Sequence, residues 1–472
     1  MTDVSARPED SPTSTTPDTG AAGRTLAVAS GAAFIAFIDL SVVNIAFPTI
    51  ATSYPGTATS TLTWIVSGYA IAFAALLTPA GRLADVLGRR RMFALALAGF
   101  AVTSLLCGLA PSAGWLIAGR VLQGMTAAFM VPAALALVLA ATPRAKIGSA
   151  IAVWTAAGGF AAVVGPAIGG ALVESLGWRA IFLVNVPIAL ALIVPGLRLP
   201  STDDARRDTA LPDPLGTLAV ALGLGALVAA VTEGQSWGWT APVTLAALIG
   251  GAVLVTFALA RSMRHPDPAV AVTLWRNRQF ALANAGSLLF GATMFAWLLA
   301  GPMFLDALWG YSVLESAAAL TVGAAASMVT SVIVGRITAP RGQRWAGVVG
   351  ALMYAASLAW MSTDAFGTDP ALWSAWVPAG LLGGGGIGIV VTVLGTAAAS
   401  SVPPQQFAAG IGMNVTARQV GGALGVAVLA AVFTAVPDDA VRAFHTVFAV
   451  GAVIGLAVAL LLLVPSQART TR

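Results

Sequence analysis

The amino-acid sequence predicts an all-α integral membrane protein. Hydrophobic residues make up 58% of its 472 residues and charged residues only 9%, whereas about 25% of the residues in a soluble domain are charged. The mean hydropathy is +0.88, and the hydrophobic residues form runs of roughly 17–25 residues, the length at which a helix crosses a bilayer. A lipid bilayer is therefore the predicted surroundings of most of the chain.

The hydrophobic runs predict fourteen membrane-spanning helices. An even number of spans leaves both ends of the chain on the same side of the membrane. Residues 1–23 precede the first span and are rich in Ser, Thr, Pro and Asp, which predicts a disordered cytoplasmic tail. The predicted spans are residues 25–47, 62–80, 92–110, 114–138, 148–173, 180–197, 214–232, 242–260, 281–303, 317–337, 346–363, 373–397, 408–435 and 443–464.

The positions of Lys and Arg predict how the spans are oriented. Of the 24 Lys and Arg residues, Arg120 and Arg418 lie inside predicted spans, and Arg179 and Arg442 lie in loops assigned to the outside. The other twenty lie in the termini and in alternate loops. Positively charged loops stay in the cytoplasm, so both termini are predicted to be cytoplasmic. The basic residues form no groove-binding patch, so the net charge of +5 does not indicate nucleic-acid binding.

Two segments of the chain recur later in it. Gly81–Arg90 is similar to Gly335–Arg344, and Gly169–Leu172 is similar to Gly421–Leu424. The first match pairs the loop between spans 2 and 3 with the loop between spans 10 and 11, and the second pairs span 5 with span 13. Both require a shift of eight spans, which predicts two halves in the same orientation with two extra helices between them. The predicted parts are a tail at 1–23, a six-helix bundle at 24–198, a cytoplasmic linker at 199–213, two extra helices at 214–261, a cytoplasmic linker at 262–280, a second six-helix bundle at 281–465 and a cytoplasmic tail at 466–472.

Asp39 is the one acidic residue inside a predicted span. It lies in the otherwise apolar run Phe34–Pro48, while every other Asp and Glu falls in a loop, at the end of a span or in the N-terminal tail. An ionised carboxylate at bilayer depth costs several kcal/mol unless it is paired or hydrated, so a functional role is the first hypothesis. We predict that Asp39 takes up and releases a proton. The alternative is a structural acid held by a permanent hydrogen bond.

Several polar or glycine-rich patches interrupt the hydrophobic runs: Ile38–Pro48, Gly81–Arg91, Arg120–Gly124, Gly165–Gly170, Gly177–Pro187 and Asn414–Gln419. In these patches the chain resembles the major facilitator superfamily, and within it the fourteen-helix drug:proton antiporters. The resemblance covers nearly the whole chain after residue 24. It implies the major facilitator fold, with two six-helix bundles plus two additional transmembrane helices, and alternating access driven by the proton-motive force without a cofactor.

Arg120 begins the patch that resembles the fourth-helix signature of the superfamily. Asp39 lies eight residues before Phe47, roughly 12 Å along the helix, and Arg120 lies six residues past Gly114, about 9 Å from the outer side. The two charges are therefore at similar depth, and we expect them to face each other. A pair that forms and breaks would act as a proton switch. A permanent pair would only fasten helix 1 to helix 4.

The loop between the second and third spans is expected to form a gating latch. Gly81 and Gly88 permit a tight turn, and Asp85 can bind the end of a neighbouring helix or an arginine, with Arg89 and Arg90 in the same loop. Breaking and re-forming this contact would control opening toward the cytoplasm. The alternative is a solvated basic loop. The second copy of the loop has Ala at the position of Asp85, so any latch is asymmetric.

The fifth predicted span contains Gly165, Pro166, Gly169 and Gly170, which resemble a signature of antiporters rather than symporters. Glycines let a neighbouring helix approach closely, and Pro166 is expected to bend the helix or loosen its hydrogen bonds. Ala161 stands where a glycine commonly precedes the signature. The alternative is the ordinary packing of small residues in a bundle.

Six polar or aromatic residues are candidates for the lining of a substrate cavity. Arg418 is the second cation inside a span, and no acid in any predicted span matches it, so helix-end carbonyls, Gln419 or water could serve it. Asp306 could favour cationic substrates at the outer mouth, although a solvated loop also explains it. The candidates are Asn44, Gln123, Trp297, Asp306, Asn414 and Arg418.

These features favour a proton-coupled antiporter that exports hydrophobic or amphipathic drugs or antibiotics, cationic ones among them. A lipid or precursor translocase and an uptake symporter of the same fold are the alternatives. An enzyme is not expected, because the sequence has no metal-binding set, nucleophile elbow or phosphate-binding loop. No metal or cofactor is expected. The expected partners are the bilayer, protons and a small hydrophobic substrate, for a monomer in the bacterial inner (cytoplasmic) membrane.

Overall fold

A computed structural model describes residues 19–199 and 210–464, which form helices and loops without a strand. Residues 1–18, 200–209 and 465–472, which contain most of the two predicted tails and part of the predicted linker 199–213, lie outside the described residues. The helices before the linker are α1 Thr19–Ser53, α2 Thr59–Leu62, α3 Trp64–Leu87, α4 Arg89–Gly108, α5 Ala113–Ala141, α6 Ile147–Leu176, α7 Ala180–Leu183 and α8 Asn185–Leu197.

The remaining helices follow the linker, and every predicted span overlaps a helix of the structure. Helix α1 begins at Thr19, so the prediction of disorder is wrong for residues 19–23. The helices after the linker are α9 Pro214–Trp237, α10 Pro242–Ser262, α11 Arg278–Trp309, α12 Val313–Gly335, α13 Pro340–Met361, α14 Val377–Ser400, α15 Phe407–Ala435 and α16 Ala440–Leu463.

Twelve helical segments of the described chain are long and apolar enough to cross a membrane, by length and composition. The predicted fold class is therefore confirmed, but the count of fourteen spans is not. The two predicted spans outside the twelve are α6, with 30 residues, and α13, with 22 residues. Helix α13 begins with the polar segment Pro340–Arg344, which lowers its hydropathy. The count of fourteen stays a prediction.

Polar side chains at the helix ends bind backbone groups that the helices leave free. Ser112 accepts a hydrogen bond from the Trp115 N–H at 3.3 Å, at the start of α5. Asn277 accepts from the Gln279 N–H at 2.9 Å, at the start of α11. Because the first four N–H groups of a helix have no partner within it, such side chains fix where these helices begin.

Asp213 closes the hairpin formed by the two extra helices. It accepts hydrogen bonds from the N–H groups of Leu215 and Gly216 at the start of α9, at 3.2 and 3.0 Å. It also pairs with Arg261 near the end of α10, whose Nη2 donates to Oδ1 at 3.0 Å. The hydrogen bond from Arg261 holds the pKa of the Asp213 carboxyl below its usual range. The hairpin is therefore tied together at one end by charge.

The helices form two halves, and two pairs of helices make most of the contacts between them. Helices α1 to α8 form the first half and α11 to α16 the second, and the halves meet where α3 packs against α15 and α6 packs against α12. Helix α9 packs against α10 and also contacts α3 and α15. The extra helices therefore lie beside one helix from each half.

Both pairs come closest at the same end of the bundle. We call it the latch end, the end at which Leu87, Gly335 and the first residues of α6 and α15 lie. A Cβ added at Gly81 would collide with the Ala408 carbonyl oxygen of α15. In the other pair, the Ser149 hydroxyl of α6 donates to the Gly335 carbonyl of α12 at 2.8 Å. The two halves are therefore closed against each other at the latch end.

Glycines also bring α15 against α11 within the second half. A Cβ at Gly421 would collide with the Leu288 carbonyl oxygen, and one at Gly425 would collide with the Ala292 carbonyl oxygen. Small residues four apart let two helix backbones approach closely in a membrane, where lipid supplies no hydrophobic force between helices. The packing of α11 on α15 therefore depends on these two glycines.

We predict that Gly425→Ala lowers the thermal unfolding midpoint of the purified protein. In an isolated helix, Ala is more stable than Gly by about 1 kcal/mol. Here the added methyl group would push α15 away from α11, at a cost of roughly 1–3 kcal/mol for overpacking. The matched control is Gly250→Ala in α10, where no atom lies within 4 Å of the added Cβ. The control should keep or raise the midpoint, and an equal response of both variants would contradict the packing argument.

Candidate functional site

Asp39 in α1 is buried against Arg120 in α5. The Asp39 Oδ2 atom lies 2.5 Å from the Arg120 Nη1 atom, and neither side chain is more than 1% exposed. The depths of the two residues in their helices predict that they face each other, and the structure brings them together as an ion pair. The carboxylate therefore points into the first half and not toward lipid.

Two side-chain amides donate to the other oxygen of the Asp39 carboxylate. Gln123 Nε2 and Asn185 Nδ2 lie 3.0 and 2.9 Å from Oδ1. Both amides also donate to the Ser104 hydroxyl, at 3.0 and 3.1 Å. An ionised carboxylate only accepts hydrogen bonds, so a set of three donors from α5 and α8 suits the deprotonated form of Asp39.

The Arg120 guanidinium makes further contacts inside the first half. Its Nε donates to the Ile65 carbonyl at 2.9 Å, and its Nη1 donates to Gln123 Oε1 at 2.7 Å. Its central carbon lies 4.3 Å from the centroid of the Tyr69 ring. The Nη2 atom has no hydrogen-bond partner within the described residues. Arg120 thus holds together α1, α3 and α5, and one of its nitrogens is left unpaired.

The residues that form this network are not all the same as those of the site that the sequence predicts. Gln123 is predicted to line the substrate cavity, but in the structure it contacts Asp39. The structure adds Asn185, Ser104 and Tyr69, which the sequence analysis does not place in a site. Asn185 lies in one of the resembling patches, so a signal for it exists. Ser104 and Tyr69 carry none, because single hydroxyl groups are common in apolar helices.

Asp85 connects the two halves at the latch end. Its Oδ1 accepts hydrogen bonds from Arg89 Nε and Nη2, at 2.9 and 2.7 Å. The carboxylate also accepts from the N–H groups of Ala408 and Ala409, at 3.2 and 2.8 Å. These two residues open α15, whose N-terminus carries a partial positive charge. Asp85 therefore binds both kinds of partner that the sequence allows, a helix end and an arginine.

The other predicted latch residues have different places. Arg89 Nη2 also donates to the Pro404 carbonyl, so this arginine contacts the second half as well. Gly88 forms the turn between α3 and α4 with φ of +97°, a conformation that favours glycine. Arg90 instead donates to the Leu199 carbonyl of its own half, at 3.0 Å. This hydrogen bond of Arg90 does not cross between the halves, and its role in the latch stays a prediction.

The predicted antiporter helix packs against α1 next to Asp39. A Cβ at Gly165 would lie 2.6 Å from Ser41 Oγ, and one at Gly169 would lie 2.8 Å from Val42 Cγ1. No atom lies within 4 Å of a Cβ added at Gly170, so Gly170 does not contribute to the contact between α6 and α1. Helix α6 continues through this segment, including Pro166, from Ile147 to Leu176. Gly165 and Gly169 therefore bring α6 close to the segment of α1 that holds Asp39.

The predicted cavity residues do not form one site. Asn414 and Arg418 line a cavity of about 30 Å³ between the two halves, together with Trp154 and Thr155 of α6. Trp297 lines a different, apolar cavity of about 70 Å³ among α11, α15 and α16. The spacing of these residues in the sequence does not show that they lie in two different cavities, because the cavities depend on how the helices pack.

Two further candidates lie outside both cavities. Asn44 is exposed, and its amide donates to the Leu40 carbonyl of its own helix at 3.1 Å. It follows Asp39 by five residues, which places it roughly 140° away around the helix at about 100° per residue, so it is not a neighbour of the carboxylate. Asp306 is exposed on α11 near the end opposite the latch end. Of the six candidates, only Asn414 and Arg418 therefore meet at the interface between the halves.

The fold and this site define a polytopic helical membrane protein whose two halves close at one end, with a buried ion pair inside one half. Residues 29–426 match the family model described as "Major Facilitator Superfamily". The chain belongs to that superfamily of membrane transporters.

The chain is similar to several resistance and export proteins of bacteria. It is 36% identical over 417 residues to the puromycin resistance protein pur8 of Streptomyces alboniger, covering 87% of this chain and 81% of that protein. It is 32% identical over 420 residues to the tetracenomycin C resistance and export protein of Streptomyces glaucescens, covering 88% and 77%. It is 33% identical over 407 residues to the multidrug resistance protein Stp of Mycobacterium tuberculosis, covering 85% and 74%.

A solved structure shows the same fold. The human organic anion transporter MFSD10 (TETRAN) is similar with a TM-score of 0.70 at 15% sequence identity, over 93% of this chain and 99% of that one. At this identity the likeness extends to the fold alone.

We predict that the charges of Asp39 and Arg120 stabilise the fold as a pair and not singly. Arg120→Gln should lower the free energy of unfolding by roughly 3–5 kcal/mol, because it leaves a buried charge without its partner. The double variant Asp39→Asn/Arg120→Gln should lose less than the sum of the two single losses. The measurement is thermal or denaturant unfolding of the four proteins in detergent.

Arg442→Gln, which removes an exposed arginine from α16, is the matched control and should change stability by less than about 0.5 kcal/mol. Strictly additive losses in the double variant would mean that the two charges do not interact.

Proposed function

We propose that this chain is a proton-coupled antiporter that exports hydrophobic or amphipathic drugs or antibiotics. The observation that carries the proposal is the Asp39 carboxylate, which is buried in an apolar helix against Arg120. A charged group at that depth is costly and marks a proton or ion pathway by default. The resistance and export functions in the names of the relatives support drugs or antibiotics as the cargo.

The latch end is the cytoplasmic end in this proposal. The tally of Lys and Arg predicts that the end of α3 that contains Asp85 lies on the cytoplasmic side, with both termini on that side. The contacts of Asp85 with the start of α15 then represent a state that is closed to the cytoplasm. The expected location is the bacterial inner membrane, and the expected working unit is a monomer.

The proton acts by removing the charge of Asp39. In the closed state the ionised carboxylate accepts hydrogen bonds from Arg120, Gln123 and Asn185. A proton that binds to a carboxylate oxygen cancels the attraction to Arg120 and turns one acceptor into a donor. The closed arrangement of the hydrogen-bond network around the carboxyl group is then less stable. Release of the proton on the cytoplasmic side restores the ion pair and completes the cycle.

Helix α6 transmits this change to the interface between the halves. On one face it packs against α1 through Gly165 and Gly169, beside Ser41 and Val42. It also contacts α12 of the other half and lines the interface cavity through Trp154. A shift of α1 therefore displaces α6. Because α6 forms part of the closed latch end and part of the cavity lining, both change with it. Each elementary charge that moves inward across 100 mV supplies about 2.3 kcal/mol for the uphill movement of the drug.

A lipid or precursor translocase and an uptake symporter of the same fold are the competing functions. The apolar lining of the cavity at Trp297 does not distinguish an acyl chain from a hydrophobic drug. An uptake symporter would move proton and substrate in the same direction. The direction of substrate movement relative to an imposed proton gradient separates these functions.

We predict that Asp39→Asn abolishes drug export driven by a proton gradient. The variant keeps the size of the side chain but cannot cycle between a charged and a neutral form. In proteoliposomes with an imposed pH gradient, wild-type protein should accumulate tetracenomycin C, the compound named for one relative, against its concentration gradient and dissipate the pH gradient when tetracenomycin C is added. Asp39→Asn should reduce both signals to the level of liposomes without protein.

Asp438→Asn is the matched control, since Asp438 is exposed in the loop before α16, and it should behave as wild type. Gradient-driven accumulation that survives in Asp39→Asn would disprove the role of this carboxylate. Accumulation in the same direction as proton flow would identify a symporter instead.

A further inference from the structure

We infer that the interface between the two halves contains a binding site for an anionic group of the substrate, formed by Arg418 of α15 and Trp154 of α6. The inference rests on the proposed export function and names the substrate class for it. It replaces the expectation of cationic substrates with carboxylates, phenolates and other acceptor-rich anions.

Arg418 is a cation at this interface, and it has no partner among the residues that the structure describes. It lines the cavity of about 30 Å³ between the halves, and burial, with no hydrogen bond or charge of a described residue, is what acts on its guanidinium. Arg120 offers the contrast, because it pairs with Asp39 and with the Ile65 carbonyl. A guanidinium carries five N–H donors and no acceptor. Arg418 therefore offers unused donors and a full positive charge to whatever enters the cavity.

Trp154 of the other half lines the same cavity and carries a second unused donor. Its side chain is buried, with 4% of the residue exposed, and its indole Nε1 has no hydrogen-bond partner among the described residues. The indole N–H can only donate, and a buried Trp usually finds an acceptor for it. An unpaired buried donor costs about 1–3 kcal/mol, which a ligand acceptor would recover.

The rest of the cavity offers little to a cation. None of the described residues that line it is acidic, and apart from Thr155 and Asn414 the other lining residues are apolar. The Asn414 amide nitrogen is already used, because it donates to the Ser287 hydroxyl at 2.9 Å. Donors therefore exceed acceptors around the cavity, and a positively charged ligand would be repelled by Arg418. A ligand with a negative oxygen satisfies both unused donors.

The size of the cavity indicates when this site is filled. A volume of about 30 Å³ has room for about two water molecules, whereas drug-sized ligands occupy pockets of roughly 300–1,000 Å³. The substrate therefore binds after the halves separate at the latch end. Because Arg418 and Trp154 belong to different halves, the distance between them changes when the halves move, and the binding site changes with it. This position links substrate recognition to the movement of the halves.

The test measures equilibrium binding to the purified full chain in detergent. The probes share one aromatic ring system and differ in charge: naphthoate, its neutral methyl ester, and naphthyltrimethylammonium. The variants are Arg418→Gln, Arg418→Lys and Trp154→Phe. Arg442→Gln and Trp373→Phe are the matched controls, because both residues are exposed and outside the cavity. Thermal unfolding confirms that each variant is folded.

Wild-type protein should bind naphthoate more tightly than the ester and the ester more tightly than the cation. Arg418→Gln should weaken naphthoate binding about 10- to 100-fold, the range for losing a hydrogen bond to a charged group, and should erase the preference for naphthoate over its ester. Arg418→Lys should retain part of the preference, and Trp154→Phe should weaken naphthoate binding a few-fold. The two controls should match wild type.

The inference is overturned if wild-type protein does not prefer naphthoate to its ester, if it prefers the cation, or if Arg418→Gln leaves the preference intact. These outcomes are independent of proton coupling. Failure of the anion site would leave gradient-driven export of other compounds dependent on Asp39, whereas failure of the antiporter proposal would leave the charge preference in binding unchanged.

Discussion

The ion pair between Asp39 and Arg120 holds two full charges inside a helical half where almost none of either side chain is exposed. Such a pair is stable only while both charges are present and both are hydrogen-bonded, because each alone would face a large desolvation cost. Gln123 and Asn185 donate further hydrogen bonds to Asp39, and both amides also donate to the Ser104 hydroxyl. The surrounding helices are thus arranged to suit the ionised carboxylate of Asp39, and their arrangement depends on that charge.

Glycine contacts carry this dependence from the ion pair to the rest of the molecule. Gly165 and Gly169 bring α6 against α1, and the start of α6 closes on Gly335 of α12 through Ser149. On the other side of the bundle, Gly81 and Asp85 of α3 close on the start of α15. Close backbone contacts of this kind do not deform gradually. The two halves therefore move as bodies, and the closed end opens when both contacts release.

The sequence predicts the fold and the central pair but not the whole site. Hydropathy and the recurring loop indicate the helices and the two halves, and depth along the helices places Asp39 level with Arg120. Depth carries no information about rotation, so it does not show that Asn44, five residues after Asp39, lies on a different side of α1. Likewise, the cavity at Trp297 is separated from the one at Arg418 by how α11, α15 and α16 pack. Asn185 joins the site from a helix far away in sequence, which only the tertiary structure reveals.

The most direct test of the account is a distance measurement across the latch end as a function of Asp39 protonation. Spin labels at Arg144 and Arg341, which are exposed near the starts of α6 and α13, report the separation of the halves. The account predicts that lowering the pH shifts the wild-type distances toward a longer, open population. Asp39→Asn should show that open population at every pH. Identical, pH-independent distances in both proteins would contradict the claim that this carboxylate controls the opening.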